Sequence, residues 1–172
     1  QYPVVAMMPG AEYGSAKCWP LDHFAELATR LEAAGYRTWV MGSDKDAAAG
    51  QAIVERSSAV NLCGRTSLAD VIDVLGLAEQ AVSNDSGLMH IAAAVGLHVH
   101  GVYGSSSPTF TPPLTDRCDV HYLGLPCSPC FERECPLGHL KCLRDLKPAA
   151  VLDRVRRASA RSDAFGEHTP KV

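Results

Sequence analysis

The order of residue types at positions 80–94 constrains the fold of this chain more than any other feature of its sequence. A short apolar run at residues 80–83 gives way to small or polar residues at 84–87, and an alanine-rich helical pattern follows. This order is typical of a strand that ends at the edge of a sheet and turns into a helix. The segment therefore predicts a βα unit, from which parallel sheets are built.

Strand and helix patterns alternate in this way along most of the chain. The predicted strands cover residues 4–8, 38–41, 60–62, 81–82 and 99–103, and the predicted helices cover 20–34, 46–55, 67–77 and 149–160. Such regular alternation implies right-handed βαβ connections and an α/β fold with a Rossmann-like, doubly wound parallel sheet. We expect an irregular excursion at residues 104–148, inside a domain of residues 1–160 that is followed by a tail, 161–172.

Length and charge exclude several classes of protein. The 172 residues can bury one full core, and a net charge of −3 argues against a general nucleic-acid binder. The apolar runs are shorter than the roughly 20 residues that a membrane-spanning helix needs. The first residues enter a strand pattern without a signal peptide, so we expect a cytoplasmic protein.

The helix predicted after residue 86 has a start that suits an anionic ligand. Asp85 and Ser86 are good N-cap residues, and Gly87 lets a ligand approach the backbone closely. The first amides of a helix lack partners and carry partial positive charge, so phosphate oxygens bind well there. His90 lies about one turn further and points back toward this start. An ordinary capped turn uses the same residue types, so both interpretations stay open.

Polar residues from four loops are expected to meet at one edge of the sheet. Lys17 follows the first predicted strand, Ser43 and Asp46 follow the second, Thr66 follows the third, and residues 85–90 follow the fourth. Ligands of open α/β sheets bind outside the carboxyl ends of the strands. A lone lysine is usually a solvated charge, but Lys17 opposite a helix N-terminus is better explained as a phosphate ligand.

The run SNDSGLMHIAAA at residues 83–94 resembles the signature of the ADP-heptose:lipopolysaccharide heptosyltransferases, the enzymes of glycosyltransferase family 9. PGAEYGSAKCWP at residues 9–20 is similar to the loop that opens their donor-binding domain, although Cys18 stands where a basic residue is common. YGSSSP at residues 103–108 is similar to the segment after the histidine helix, and the cysteine-bearing residues 126–142 resemble an insertion of the heptosyltransferase II type.

This resemblance implies that the chain is the C-terminal, donor-binding half of a two-domain GT-B glycosyltransferase. The implied reaction is inverting transfer of heptose from ADP-heptose to the lipopolysaccharide inner core, at the inner face of the inner membrane, by a monomer without an obligatory cofactor. In the family the catalytic base belongs to the N-terminal domain, the expected partner of this one, so residues 1–172 alone should bind nucleotide without transferring heptose. The alternatives are an interaction module that binds nucleotide or is stapled by zinc, and a family 9 transferase with another acceptor.

The resemblance also assigns the phosphate side of the donor site. Lys17 would contact the diphosphate and stabilise the departing ADP, together with the backbone at Ser86 and Gly87. Glu12 and Tyr13 would line the phosphate and sugar side of the first loop.

On the nucleoside side, the resemblance implies that Asp46, near Ser43, accepts hydrogen bonds from the ribose and that Thr66 borders the adenine. His90 touches the phosphate or only braces its loop. A carboxylate beside a diphosphate would repel it, so we expect Asp85 to cap the helix or to orient Lys17.

Four cysteines lie close together in the predicted excursion. This cysteine quartet comprises Cys127, Cys130, Cys135 and Cys142, with intervals of two, four and six residues, and His139 lies between the last two. A Cys-x2-Cys pair in a tight cluster suits tetrahedral zinc, but the other two intervals do not match a standard zinc ribbon. A structural zinc site, free or oxidised thiols, and an iron–sulfur cluster therefore stay open.

The last predicted helix carries a group of arginines: Arg154, Arg156, Arg157 and Arg161. Such a group is typical of a solvated helix face, and it is also a candidate for contact with anionic lipid head groups.

Overall fold

The computed structural model describes residues 2–166, with side-chain environments up to Arg161. Its strands are β1 (Val4–Met8), β2 (Arg37–Val40), β3 (Val60–Asn61), β4 (Gln80–Asn84), β5 (His98–Val102) and β6 (Cys118–His121). Its helices are α1 (Leu21–Ala33), α2 (Ala47–Val54), α3 (Leu68–Leu75), α4 (Gly87–Val95), α5 (Lys141–Arg144) and α6 (Pro148–Gly166).

The six strands form one sheet in the order β3-β2-β1-β4-β5-β6, and every neighbouring pair is parallel. This arrangement confirms the prediction of a Rossmann-like, doubly wound sheet. The chain leaves β1 toward one edge of the sheet and resumes at β4 on the other side, so a crevice opens between the loops that follow these two strands.

Helices cover both faces of the sheet, because each strand alternates its apolar side chains between the two. Phe24 and Leu27 of α1 and Val155 of α6 belong to the core on one face. Leu75 of α3 and Met89 of α4 belong to the core on the other. The result is a three-layer domain, in which the buried strands fix the places where the loops at the carboxyl edge of the sheet begin.

The structure differs from the sequence-based prediction inside residues 104–148, which were expected to be irregular throughout. Two elements, β6 and α5, lie within that segment. The prediction missed β6 because the alternation of apolar and polar residues in CDVH spans only four positions. They form a strand because they pair with β5, where Val99 is aligned with Cys118 and Val102 with His121.

The C-terminal helix α6 continues to Gly166, beyond the predicted end at residue 160. Residues 167–172 of the predicted tail lie outside the described residues. Within the described part of the chain, none of the helices combines the length and the apolar character needed to cross a bilayer.

Candidate functional site

A cavity of about 850 Å³ opens at the carboxyl edge of the sheet, in the crevice between the loops after β1 and β4. All ten residues that the sequence assigned to the donor site line it: Glu12, Tyr13, Lys17, Ser43, Asp46, Thr66, Asp85, Ser86, Gly87 and His90. They come from four loops, so the predicted convergence at one edge is what the fold produces. Sequence reasoning did not identify Lys45, Leu68, Val71, Leu88 and Ile91, which also line the cavity.

Lys17 forms an ion pair with Asp85 across the crevice, with 2.7 Å between Nζ and Oδ2. The two side chains are only 17% and 5% exposed, so their attraction is weakly screened. Thr111 also donates a hydrogen bond to Asp85 Oδ2, at 3.1 Å. Of the two expected roles, Asp85 therefore has that of orienting Lys17, while Ser86 is the N-cap residue and makes no capping hydrogen bond through its side chain.

Two cations lie close to the ring of Tyr13, which lines the cavity. The Lys17 Nζ atom is 5.0 Å from the ring centroid, and the Arg133 guanidinium is 4.9 Å from it. The Tyr13 hydroxyl donates a hydrogen bond to the Phe131 carbonyl, at 2.7 Å. These contacts connect the first loop to the cysteine-bearing segment. The neighbouring Glu12 forms an ion pair with Lys45, and both side chains are exposed to solvent.

Asn84 holds the Lys17 loop against the end of β4, a role that its sequence context did not reveal. Its Oδ1 accepts a hydrogen bond from the Trp19 backbone amide at 3.0 Å, and its Nδ2 donates one to the Pro9 carbonyl at 2.7 Å. The side chain is completely buried. In the sequence, an asparagine before Asp-Ser-Gly is also typical of an ordinary turn. Only the fold shows that Asn84 connects two loops rather than forming a turn.

We expect Asn84→Ala to lower the free energy of unfolding by about 3 kcal/mol, because the Trp19 amide and the Pro9 carbonyl would lose their hydrogen-bond partner in a buried place. Urea unfolding measures this loss. Gln51→Ala, which truncates an exposed amide on α2, is the matched control and should change stability by less than about 0.5 kcal/mol. Equal effects of the two substitutions would contradict the assigned cross-link.

The amino end of α4 faces the cavity at Ser86 and Gly87. Ser86 has an extended backbone, and its hydroxyl lies 3.3 Å from that of Ser83. An added Cβ at Gly87 would have no heavy atom within 4 Å, so this backbone borders open space. The first amides of α4 and their partial positive charge are thus accessible to an anion in the cavity.

Asp46 occupies a narrow place between the loops after β1 and β2. Its Oδ2 accepts hydrogen bonds from the Ser43 amide and hydroxyl, at 2.8 and 2.9 Å. A Cβ on Gly10 would lie 2.4 Å from Asp46 Oδ1, and one on Gly42 would lie 2.7 Å from its Cβ. Glycine is therefore required at both positions to admit this carboxylate beside the cavity.

One wall of the cavity is apolar and lies beside two polar atoms without partners. Leu68 and Val71 of α3 face the cavity together with Ile91 of α4. Among the described residues, neither Thr66 Oγ1 nor His90 Nδ1 has a hydrogen-bond partner, although both atoms are buried. Buried polar atoms are normally paired, so these two are exceptions, while the apolar side chains beside them suit a flat apolar ring.

The cysteine quartet surrounds a second, very small cavity of about 20 Å³ that His139 also lines. The Leu140 amide donates a hydrogen bond to Cys135 Sγ at 3.4 Å, and this bond and the neighbouring amides lower the pKa of Cys135. Burial and then the neighbouring quartet thiols raise the pKa of Cys142. Amide donors around a sulfur atom stabilise a thiolate, the form that binds metals.

Three of the four arginines on α6 are paired within the domain. Arg154 and Arg161 contact Asp119, at 3.3 and 3.6 Å, and Arg157 pairs with Asp153 at 2.9 Å. This pairing favours the solvated helix face over a surface kept free for lipid head groups.

Comparisons with known proteins agree with this geometry. A model of glycosyltransferase family 9 (heptosyltransferase) matches residues 1–141 of the chain. Lipopolysaccharide heptosyltransferase 2 of Escherichia coli K12 is 36% identical over 168 residues, which make up 94% of this chain and 48% of that protein. Lipooligosaccharide heptosyltransferase 2 of Haemophilus influenzae is 43% identical over 124 residues, or 69% of this chain and 36% of the relative.

A solved structure of Escherichia coli ADP-heptose lipopolysaccharide heptosyltransferase II has the same fold, with a TM-score of 0.83 at 36% identity. The match covers 94% of this chain and 48% of that one. The chain thus spans about half the length of the Escherichia coli proteins that it matches.

Proposed function

Because the chain belongs to glycosyltransferase family 9, we propose that it binds the ADP part of ADP-heptose and supplies the donor half of heptose transfer to the lipopolysaccharide inner core. The observation that carries this proposal is the juxtaposition of Lys17 and the amino end of α4 across one cavity. Both are positive, and both are held by buried strands and loops rather than by the ligand. Such preorganised charge stabilises a departing diphosphate at little cost in reorganisation.

The remaining contacts follow from the shape of the cavity. The adenine would lie against the apolar wall of α3 and α4, beside Thr66 and His90. The ribose would lie near Asp46, whose Oδ2 is engaged by Ser43. Glu12 and Tyr13 would face the sugar at the mouth of the cavity.

The base that deprotonates the acceptor hydroxyl is expected outside this site. Each of the three carboxylates that line the cavity has a cation or hydrogen-bond donor as its partner: Glu12 with Lys45, Asp46 with Ser43, and Asp85 with Lys17. Each of the three is thus engaged within the donor site itself. We therefore expect these 172 residues to bind ADP without transferring heptose.

Calorimetric titration of the chain with ADP and with AMP tests the donor assignment. We expect ADP to bind at least about tenfold more tightly than AMP, because only ADP has a second phosphate that reaches Lys17 and α4. Equal affinity for the two nucleotides would contradict a diphosphate site in this crevice.

The substitution Gly87→Ala provides a test that leaves the fold intact. A methyl group there meets no protein atom but occupies the space that we assign to the phosphate, so ADP binding should weaken about tenfold. Ser86→Ala is the matched control, because the proposed contact at that residue is made by its backbone, and it should bind ADP almost as the unsubstituted chain does. Calorimetry reads the affinity, and thermal unfolding should be nearly the same in all three proteins.

The cysteine quartet is proposed to bind a structural zinc ion. Its support is the small cavity at the centre of the four residues and the amide donors around Cys135. Among the described residues, the quartet does not bring three sulfur atoms within 4.8 Å of one another, so the segment must close around the ion as it binds.

Three finer points belong to the same proposal. The donor half acts as a monomer, it works in the cytoplasm, and its acceptor is met at the inner face of the inner membrane. Gel filtration and cell fractionation of the protein check these points.

A further inference from the structure

A second group of potential ligands lies on the α6 face of the sheet and does not line the donor cavity. This β5–β6 cluster comprises His98, His100, Asp119 and His121. The register of the two strands aligns His100 with Asp119, and alternate residues of a strand share one face. Four side chains therefore project together from two adjacent strands into the space beneath α6.

The distances within the cluster approach those around a metal ion. His98 Nε2 lies 2.8 Å from Asp119 Oδ2, and His100 Nδ1 lies 4.0 Å from the same oxygen. His100 Nδ1 is also 3.3 Å from His121 Nε2. Two nitrogen ligands at about 2.05 Å from a tetrahedral zinc ion lie about 3.3 Å apart. One ligand atom each from His98, His100 and Asp119 already lies within 4.8 Å of the other two.

Gln80 fixes the tautomer of His100 that metal binding requires. The Gln80 amide nitrogen donates to the Val155 carbonyl and to the Ser159 hydroxyl, at 3.1 and 2.7 Å. Its Oε1 must then face His100 Nε2, at 2.8 Å, and can only accept a hydrogen bond. The proton of His100 lies on Nε2, so the lone pair of Nδ1 points into the cluster. Metal-bound histidines are generally oriented by a second partner of this kind.

The surroundings of the cluster leave room for an added positive charge. His100 is completely buried beneath α6, and Gln80 holds its Nε2. The charges facing the cluster from α6 are Arg154 and Arg161, which are 53% and 62% exposed. These long side chains can swing into solvent when a cation takes their place beside Asp119.

We propose that the β5–β6 cluster is a binding site for a divalent transition-metal ion of the zinc class. The ligands are His98 Nε2, His100 Nδ1 and Asp119 Oδ2, and His121 Nε2 stands next to the fourth position. In this structure His98 Nε2 donates to Asp119 Oδ2, so that proton must leave Nε2 when the ion binds, and the neutral ring then carries its proton on Nδ1. Neutral imidazoles with one carboxylate suit zinc better than magnesium or calcium. The ion would tie the edge strand β6 and, through Gln80, helix α6 to the centre of the sheet.

Long-range proton–nitrogen NMR spectra of the 172-residue chain test this site directly, with Zn²⁺ as the added metal. We expect zinc to shift the imidazole nitrogen resonances of His98 and His100 and to leave those of His23 unchanged. This readout is separate from nucleotide binding, and the assigned resonances separate these ligands from the cysteine quartet, whose cavity is lined by His139.

Two substitutions decide the outcome. Asp119→Asn keeps the shape of the side chain and removes its charge, and His98→Ala removes a ligand from the partly exposed side. Each should weaken the zinc response of His100 at least tenfold, while the control His23→Ala should not change it, and the backbone spectra report whether each variant is folded. Zinc that shifts neither the His98 nor the His100 resonances, or a His100 response that is unchanged in both folded variants, would overturn the proposal.

Discussion

Replacing Lys17 by methionine should weaken ADP binding by about a hundredfold and also destabilise the domain. A charge-assisted contact with the diphosphate accounts for about 1.5–3 kcal/mol. The substitution also leaves Asp85 without its cation, next to the place of the phosphates, so repulsion adds to the lost attraction. Because Asp85 is only 5% exposed, removing its partner should lower the free energy of unfolding by about 3 kcal/mol.

The double substitution Lys17→Met with Asp85→Asn separates the two effects. Asparagine has nearly the shape of aspartate and no charge, so it should recover most of the lost stability, while Thr111 can still donate to its oxygen. Binding of ADP should remain weak, because the lysine is still missing. Calorimetry measures the affinity for ADP, and urea unfolding measures the stability, in the unsubstituted chain, in Lys17→Met and in the double variant. Full recovery of ADP binding in the double variant would mean that Lys17 acts only by neutralising Asp85.

Removing metal from the cysteine quartet should lower the melting temperature by about 10 °C. A ligand present at a thousand times its dissociation constant stabilises the folded state by about 4 kcal/mol, and each kcal/mol corresponds to about 2–4 °C in a domain of this size. The quartet connects the segment around residues 127–135 to Cys142, which packs in the core beneath α1 and α6. Differential scanning calorimetry with and without a zinc chelator, under reducing conditions, measures this effect.

The cysteine variants show whether the effect belongs to the quartet. Cys130→Ser should abolish the response to the chelator and the sulfur-to-metal charge-transfer band of the cobalt-substituted chain. Cys118→Ser, which changes a cysteine of β6 outside the quartet, is the matched control and should keep both. A chelator effect of the same size in Cys130→Ser would show that the stabilising metal lies elsewhere, and the β5–β6 cluster is then the next site to examine.

Local chemistry was sufficient to predict the parts of the site that lie within one βα unit. The end of β4, the cap at Ser86 and the open backbone at Gly87 follow from residue type over a few positions. The helix predicted from residue 67 also begins for a local reason, because Ser67 and Asp70 form a capping box at the start of α3. Because the carboxyl ends of parallel strands share one edge, four loops could also be placed together before any distance was known.

Features that depend on distant partners could not be predicted in this way. The partners Lys17 and Asp85 are 68 residues apart, and Asn84 acts on a carbonyl 75 residues away. The sequence-based reasoning anticipated the first contact by a charge argument and missed the second, because asparagine in a turn has many uses. It also missed β6, since a strand of only four residues is recognisable chiefly beside the strand with which it pairs.

The sequence by itself determined the alternation of strands and helices, the family, and the edge of the sheet where ADP is proposed to bind. All three depend on short-range patterns or on motifs in a fixed order, and both can be recognised in the amino-acid sequence alone. The tertiary structure alone decided that Asp85 orients Lys17 rather than capping α4, and that Asn84 fastens the Lys17 loop. It also brought His98, His100 and Asp119 together. These contacts exist only because the packed sheet fixes the separation of side chains that are far apart in the chain, to within the reach of a hydrogen bond.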